Sequence, residues 1–253
     1  MIGIIGGTGT ESLLESYDVT RREVVNTSYG SNPEVLVVDI DGVEVAYLLR
    51  HDKNHSIPPH MINYRANIEA LSIMGVKQVY ATNSVGSLDT NITPGSLLIP
   101  DNFIDFTDGR KSTFFDDEVV HIDCSHPYCE TLRGYLTRDT SVHPYGVYIA
   151  TNGPRFESSA EIEFYKLIGG KVIGMTGLPE VVLAKERQIC YASICVVTNY
   201  AAGISKHNLT VGEVVDAMKE CEENLIELIT KTVKFTDVNS DCGCQHALND
   251  AII

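Results

Sequence analysis

Apolar residues in this chain come in short blocks that break at glycines, prolines and small polar clusters, and the period changes from block to block. Ile2-Gly-Ile-Ile runs into Gly6-Gly-Thr8-Gly9, the pattern of a buried strand ending in a glycine-rich turn. Val35 to Ile40 and Val43 to Leu49 are strand-like, and the Asp41-Gly42 between them predicts a tight hairpin. From Asn63 to Met74 the period becomes helical, with Tyr64, Ile68, Leu71 and Met74 on one face and Gly75 as the stop. Val76 to Ala81 reads as strand again and enters a small polar loop, Thr82-Asn-Ser-Val-Gly86-Ser. Pro94 to Pro100 predicts a further strand, and Asp101 to Cys129 a long polar and aromatic loop.

The second half alternates more regularly. Ser158-Ser-Ala-Glu161 is a capping box that opens a short helix ending at Gly169-Gly170. Lys171 to Met175 is a strand, Pro179 to Arg187 a helix, and Ile189 to Val197 a β-branched run. Thr210-Val-Gly-Glu213 is a second capping box, and Val211, Val214, Val215, Met218, Leu225, Leu228, Ile229 and Val233 give a long helix one apolar face. Strand, loop, helix, strand is α/β grammar, so we expect one domain over residues 1–235 and a polar tail over 236–253. Ligands of open α/β sheets collect beyond strand carboxyl ends. Here those ends carry Asn152-Gly-Pro-Arg-Phe-Glu157, Gly174-Met-Thr-Gly-Leu-Pro-Glu180 and Thr198-Asn-Tyr200, and the site is predicted among them.

Composition narrows the function. With 253 residues, 43% of them hydrophobic, the chain can bury a substantial core. Nineteen basic against 34 acidic residues give a net charge of −15, which argues against a nucleic-acid or anionic-membrane partner and requires any anionic substrate to be held locally. Met1-Ile-Gly-Ile-Ile has no basic leader region, and no apolar run approaches transmembrane length. Seven cysteines, an odd number, do not suggest a secreted disulfide scaffold, so a cytoplasmic protein is expected.

Metal readings find little support in the spacing. His51, His55 and His60 invite a metal reading, but Pro58-Pro59 breaks any helix that could align them. In the tail, Cys242-Gly-Cys244-Gln-His246 has no second ligand pair beside it, which weighs against a metal and leaves a local disulfide or free thiols. The glycines at the start fit neither a dinucleotide fingerprint nor a P-loop, though they would let backbone N–H groups approach an anion. Arg50 stands just past a strand, where its planar fork suits two phosphate oxygens.

Asn152-Gly-Pro-Arg-Phe-Glu, Gly174-Met-Thr-Gly-Leu-Pro-Glu180-Val-Val-Leu-Ala-Lys-Glu186 and Cys190-Tyr-Ala-Ser-Ile together resemble the purine nucleoside phosphorylase and methylthioadenosine phosphorylase family, from Ile2 to roughly Val233. The resemblance implies a mixed central sheet, partly closed into a barrel and flanked by helices. It implies phosphorolysis of an N-glycosidic bond with inorganic phosphate as co-substrate and nucleophile, and no cofactor. By the same resemblance Thr8, Arg50, His51, Asn83, Ser84 and Thr176 hold phosphate, Met175 packs on the ribose and Phe156 covers the base. Glu157 and Asn199 address the base edge. His55, Val211 and Val214 surround the sugar 5′ substituent, joined by His121 reaching across a subunit boundary in a homotrimer, with pairing of trimers left open.

The base-edge residues favour a 6-oxopurine. Hypoxanthine and guanine offer an N1–H donor, which a carboxylate accepts, and an O6 acceptor, which an amide N–H₂ satisfies while its carbonyl takes N7–H. Adenine has no N1–H, and members of the family that act on methylthioadenosine carry Ser at the Glu157 position and Asp at the Asn199 position. Thr198-Asn-Tyr-Ala-Ala-Gly203 resembles the segment of methylthioinosine phosphorylases, and Arg50-His51, His55 and His121 resemble the methylthioadenosine branch. The combination predicts S-methyl-5′-thioinosine as substrate, with inosine and guanosine as the alternative and methylthioadenosine third. A nucleoside-binding protein without turnover is the rival from another class; a nucleoside hydrolase, a second rival, would need an Asp-rich calcium-binding start, which this sequence lacks.

Overall fold

The computed structural model describes residues 1–7, 10–205, 211–249 and 251, without the side chains of residues 11, 12, 211, 213–215, 218 and 220. Thr8, the cap Thr210 and the side chains of Val211 and Val214 therefore lie outside the described residues.

Ten strands form one mixed sheet among the described residues. The first part holds β1 (Ile2–Gly6), β2 (Val19–Val24), β3 (Glu34–Ile40), β4 (Val43–Leu49) and β5 (Gln78–Ser87). It continues with β6 (Leu97–Leu98), β7 (Asn102–Asp105), β8 (Val147–Ala150), β9 (Gly170–Gly174) and β10 (Cys190–Tyr200). The helices are α1 (Glu11–Ser16), α2 (Tyr64–Ile73), α3 (Glu130–Leu136), α4 (Ser159–Leu167), α5 (Glu180–Glu186) and α6 (Val211–Phe235). None among the described residues is long and apolar enough to cross a membrane. The hairpin turns at Asp41 and Gly42, both at positive φ, as the favoured two-residue connection requires. Ser158 caps α4 and Glu161 reaches back to its amide, so the predicted box forms.

Strand β5 is where the sheet divides. One edge pairs with β10 along its whole length. The other pairs with β1 as far as Ala81 and with β9 only from Gly86. Thr82 to Val85 are left between the two partners, and the site forms there. The sequence reads Thr82–Ser87 and Thr198–Tyr200 as loops, whereas both continue their strands. Their polar side chains are tolerated in a buried ladder because they satisfy one another: Ser193 donates to Asn83 Oδ1 at 2.7 Å, and Thr82 Oγ1 accepts the Gly7 amide at 2.8 Å.

Other expectations shift in extent. Of Pro94–Pro100 only Leu97–Leu98 joins the sheet, and the long loop after it contains β7. Helix α6 lays Leu225, Leu228 and Ile229 into a core with Ile194 and Val196 of β10. The tail docks on the domain, with Gln78 Nε2 donating to Asp237 O at 2.9 Å and to Ser240 Oγ at 3.0 Å.

Candidate active site

A single pocket gathers residues from seven separated stretches of chain: Gly7, Arg50 and His51, His55, Ser84 to Gly86, Phe156 and Glu157, Ile173 to Thr176, and Thr198 and Asn199 with Ala201. It lies at the carboxyl ends of β1, β4, β5, β9 and β10, as the strand-end argument predicts.

On one side stands Arg50, fully buried. Its bidentate edge is occupied: Nε and Nη2 each donate to a Glu180 carboxylate oxygen at 2.7 Å, and Nη1 donates to Thr82 O at 2.6 Å. This differs from the fork-on-phosphate arrangement that the sequence suggests, because a buried guanidinium needs a counter-charge whether or not an anion is present. Burial alone would pull its pKa down, but the field of Glu180 and its hydrogen bonds hold it above the ordinary arginine value. Three of the five N–H donors are engaged with the protein, and the remainder belong to a side chain that lines the pocket.

Thr176 faces the same side. Its Oγ1 accepts from Asn83 Nδ2 at 2.7 Å, so its own proton remains available to an anion. Asn83 does not itself line the pocket; it is buried and orients Thr176. The Gly7 amide, expected from the glycine-rich turn to approach an anion, is bound to Thr82. Gly7 is needed for a different reason: a Cβ there would stand 2.7 Å from Thr82 O and 2.9 Å from Arg50 Nη1. His51 places Nδ1 2.8 Å from Ile57 O and stacks on His55 with ring centroids 4.3 Å apart.

On the opposite side are Glu157 and Asn199. Thr151 Oγ1 donates to Glu157 Oε1 at 2.7 Å, which leaves Oε2 without a protein donor among the described residues. Asn199 accepts from Thr198 Oγ1 at 2.8 Å and donates to Tyr200 O at 2.9 Å. One N–H and one carbonyl lone pair therefore remain on its amide. Gly86 makes room for it, since a Cβ there would be 3.0 Å from Asn199 Nδ2. Phe156, 40% exposed, covers the mouth, and Met175 packs so closely on Gly153 that a Cβ would meet its sulfur at 2.3 Å.

His121 is not in this pocket. Within one chain it lines a second cavity with Cys129, Cys242 and Cys244, and its amide donates to Ala251 O at 2.8 Å.

Three supporting residues were assigned no role from the sequence. Glu180 and Glu186 stand in the quoted motifs, and both are buried: Glu180 holds Arg50 and accepts from Tyr191 Oη at 2.7 Å, and Glu186 accepts the Phe114 amide at 2.7 Å. Their place in a helix that is otherwise mostly apolar was the available signal. Arg110, in the long loop, donates to the carbonyls of Leu178, Thr151 and Asn152 and so ties that loop to both pocket walls. No local pattern marks it.

The chain is similar to known proteins over most of its length. The phosphorylase superfamily matches residues 1–234. A relative from Methanothermobacter thermautotrophicus, named a probable S-methyl-5′-thioinosine phosphorylase, is 49% identical, covering 99% of this chain and 90% of its own. A Pyrococcus furiosus protein named 6-oxopurine nucleoside phosphorylase is 43% identical, covering 99% and 98%. Among solved structures, a methylthioadenosine phosphorylase from Schistosoma mansoni in complex with adenine superposes with a TM-score of 0.92 at 27% identity, covering 99% of this chain and 98% of that one. Fold and sequence coincide with these proteins over nearly the whole length, and the chain belongs to the phosphorylase superfamily.

Proposed function

We propose that this enzyme phosphorolyses 6-oxopurine nucleosides, S-methyl-5′-thioinosine first among them, giving hypoxanthine and S-methyl-5-thio-α-D-ribose 1-phosphate. The observation that carries the reading is that Glu157 and Asn199 share a pocket with Arg50 and Thr176. One wall can hold an anion and the other offers the acceptor, donor and acceptor that a 6-oxopurine edge requires.

In this reading phosphate sits against Arg50, His51, Ser84 and Thr176, with Thr8 and, through Thr176, Asn83 in support. Its oxygen attacks the anomeric carbon as the glycosidic bond breaks, and its charge stabilises the oxocarbenium-like centre between them. The electron pair of that bond leaves with the purine. N7 takes a proton from solvent as charge builds on the leaving base; the Asn199 carbonyl accepts that N7–H while its remaining N–H donates to O6, and Glu157 Oε2 accepts N1–H. Phosphate is the nucleophile, so no covalent enzyme intermediate and no cofactor are needed. Met175 and Phe156 cover sugar and base, and His55, Val211 and Val214 border the 5′ substituent.

His121 enters from a second copy in a homotrimer. Its place in a separate cavity of its own chain supports that reading, since it would otherwise have no route to the pocket. The apolar S-methyl group, favoured by the names of the methanogen relatives, suits Val211 and Val214 better than a hydroxyl. The setting is cytoplasmic.

The test is release of free base from methylthioinosine, inosine, guanosine, adenosine and methylthioadenosine at fixed phosphate. Hypoxanthine should appear fastest from methylthioinosine and only with phosphate. Release without phosphate would indicate a hydrolase, and preference for an adenine nucleoside would overturn the base assignment.

A further inference from the structure

Four cysteines from three distant parts of the chain meet on the far side of the domain: Cys129 just before α3, Cys190 at the start of β10, and Cys242 and Cys244 in the tail. Their sulfurs all lie within 4.8 Å of one another. Cys129 and Cys190 thus supply the second ligand pair that the tail motif lacks in sequence. We propose that Cys129, Cys190, Cys242 and Cys244 form a four-thiolate site for a soft divalent cation, zinc in the first instance, which clamps the tail to the sheet.

The geometry favours an ion over paired disulfides. Zinc–sulfur bonds of about 2.3 Å in a tetrahedron put sulfurs about 3.8 Å apart. Cys242 Sγ lies 3.8 Å from Cys129 Sγ, the tetrahedral separation, and 2.9 Å from Cys190 Sγ, a pair that must open by about 0.9 Å around an ion and is too long for a disulfide near 2 Å, so one sulfur stands between two others and no S–S pair is formed. All seven cysteines are free thiols.

The surroundings suit a thiolate. Gln245 Nε2 lies 3.9 Å from Cys190 Sγ, and the Leu132 amide donates to the Cys129 sulfur, the kind of N–H···S support that thiolate ligands receive. On coordination the thiol protons pass to solvent and no electron is transferred.

The clamp would be structural, since four protein ligands leave no open position for substrate. It would fix three things at once: the start of β10, the cap of α3, and the tail that accepts the His121 amide through Ala251.

The full chain, purified anaerobically with reductant and without chelator, tests this by elemental analysis and by cobalt replacement. We expect one zinc per chain, or one cobalt showing the ultraviolet thiolate charge-transfer band and tetrahedral visible bands. Cys129→Ser and Cys242→Ser should each weaken metal binding at least tenfold, and Cys124→Ser, outside the cluster, should not. Metal at a hundred times its Kd should raise Tm by about 5–10 °C. Fewer than about 0.2 equivalents bound after stoichiometric zinc or cobalt would overturn the proposal, four ligands making a closed site that fills at one. So would disulfides among these cysteines in the anaerobic protein, read by alkylation and mass spectrometry. Both readings use the unaltered chain, so a variant that fails to fold does not block the decision.

Discussion

Arg50 and Glu180 form a bidentate ion pair in which neither side chain has any solvent exposure. The pair links the end of β4 to the start of α5 and sets the guanidinium at the edge of the pocket. Removing one partner strands a buried charge. Glu180→Ala should therefore destabilise the fold by about 3–5 kcal/mol, measured by denaturant unfolding. Arg50→Lys retains a charge but loses the fork, and it should raise the phosphate KM about tenfold or more while moving the nucleoside KM little. Equal effects on both substrates would take Arg50 out of the phosphate site.

Asn199 separates the two purine classes. Asn199→Asp replaces the free N–H with an acceptor that repels O6 but can receive the 6-amino group of adenine. The expected result is a fall of roughly ten- to a thousand-fold in kcat/KM for 6-oxopurine nucleosides, with adenine nucleosides affected much less or improved. Glu157 still opposes adenine, so conversion is incomplete. An unchanged preference would show that Asn199 does not meet the base edge.

Arg110 touches the carbonyls of Leu178, Thr151 and Asn152, which stand beside the segments bearing Thr176 and Glu157, from the loop that also carries His121. Arg110→Ala should loosen the walls bearing Glu157 and Thr176 and lower kcat/KM by about ten- to a hundred-fold, an effect expected when positioned groups lose their support. Circular dichroism should remain that of the parent. Wild-type kinetics in the variant would make the loop a bystander.

Glu161 gives a pH signature. The Arg155 hydrogen bond, aided by the Ser158 amide, lowers its pKa to about 2 from the usual 4.5. A carboxylate depressed in the folded state stabilises above its unfolded pKa, and that contribution is lost as pH falls through the folded value. The side chain is about a third exposed, so screening keeps the effect small. The Tm difference between wild type and Glu161→Gln should be present at pH 6 and shrink as pH falls from 4.5 toward 2. A difference independent of pH would point to packing instead of charge.

The local parts of this molecule were legible in the sequence and the long-range ones were not. Asp41-Gly42 and Ser158-x-x-Glu161 act through neighbours in the chain, and both form as read. Thr82-Asn83 and Thr198-Asn199 look like loops because polar residues rarely sit in buried strands, and their partners are distant in sequence: Gly7 for Thr82, Ser193 and Thr176 for Asn83, and Val85 for Thr198. Arg50 was placed in the pocket, but Glu180, 130 positions away, could not be foreseen as its counter-charge. The cysteine cluster failed in the same way, with Cys129 and Cys242 113 positions apart.

The break in register between Val197 and Asn199 bears on how such pockets diverge among lineages. The backbone there is fastened on either side, by the Gly95 amide on Val197 O and by the Ala201 amide on Ser87 O. Asn199 therefore projects beside Gly86 from a segment that these backbone bonds hold, to which its own side chain adds bonds with Thr198 and Tyr200. An Asn codon becomes an Asp codon by a single base change. A descendant gene could thus drift toward a different purine through that one exchange, its scaffold untouched, and acquire the companion change at Glu157 later.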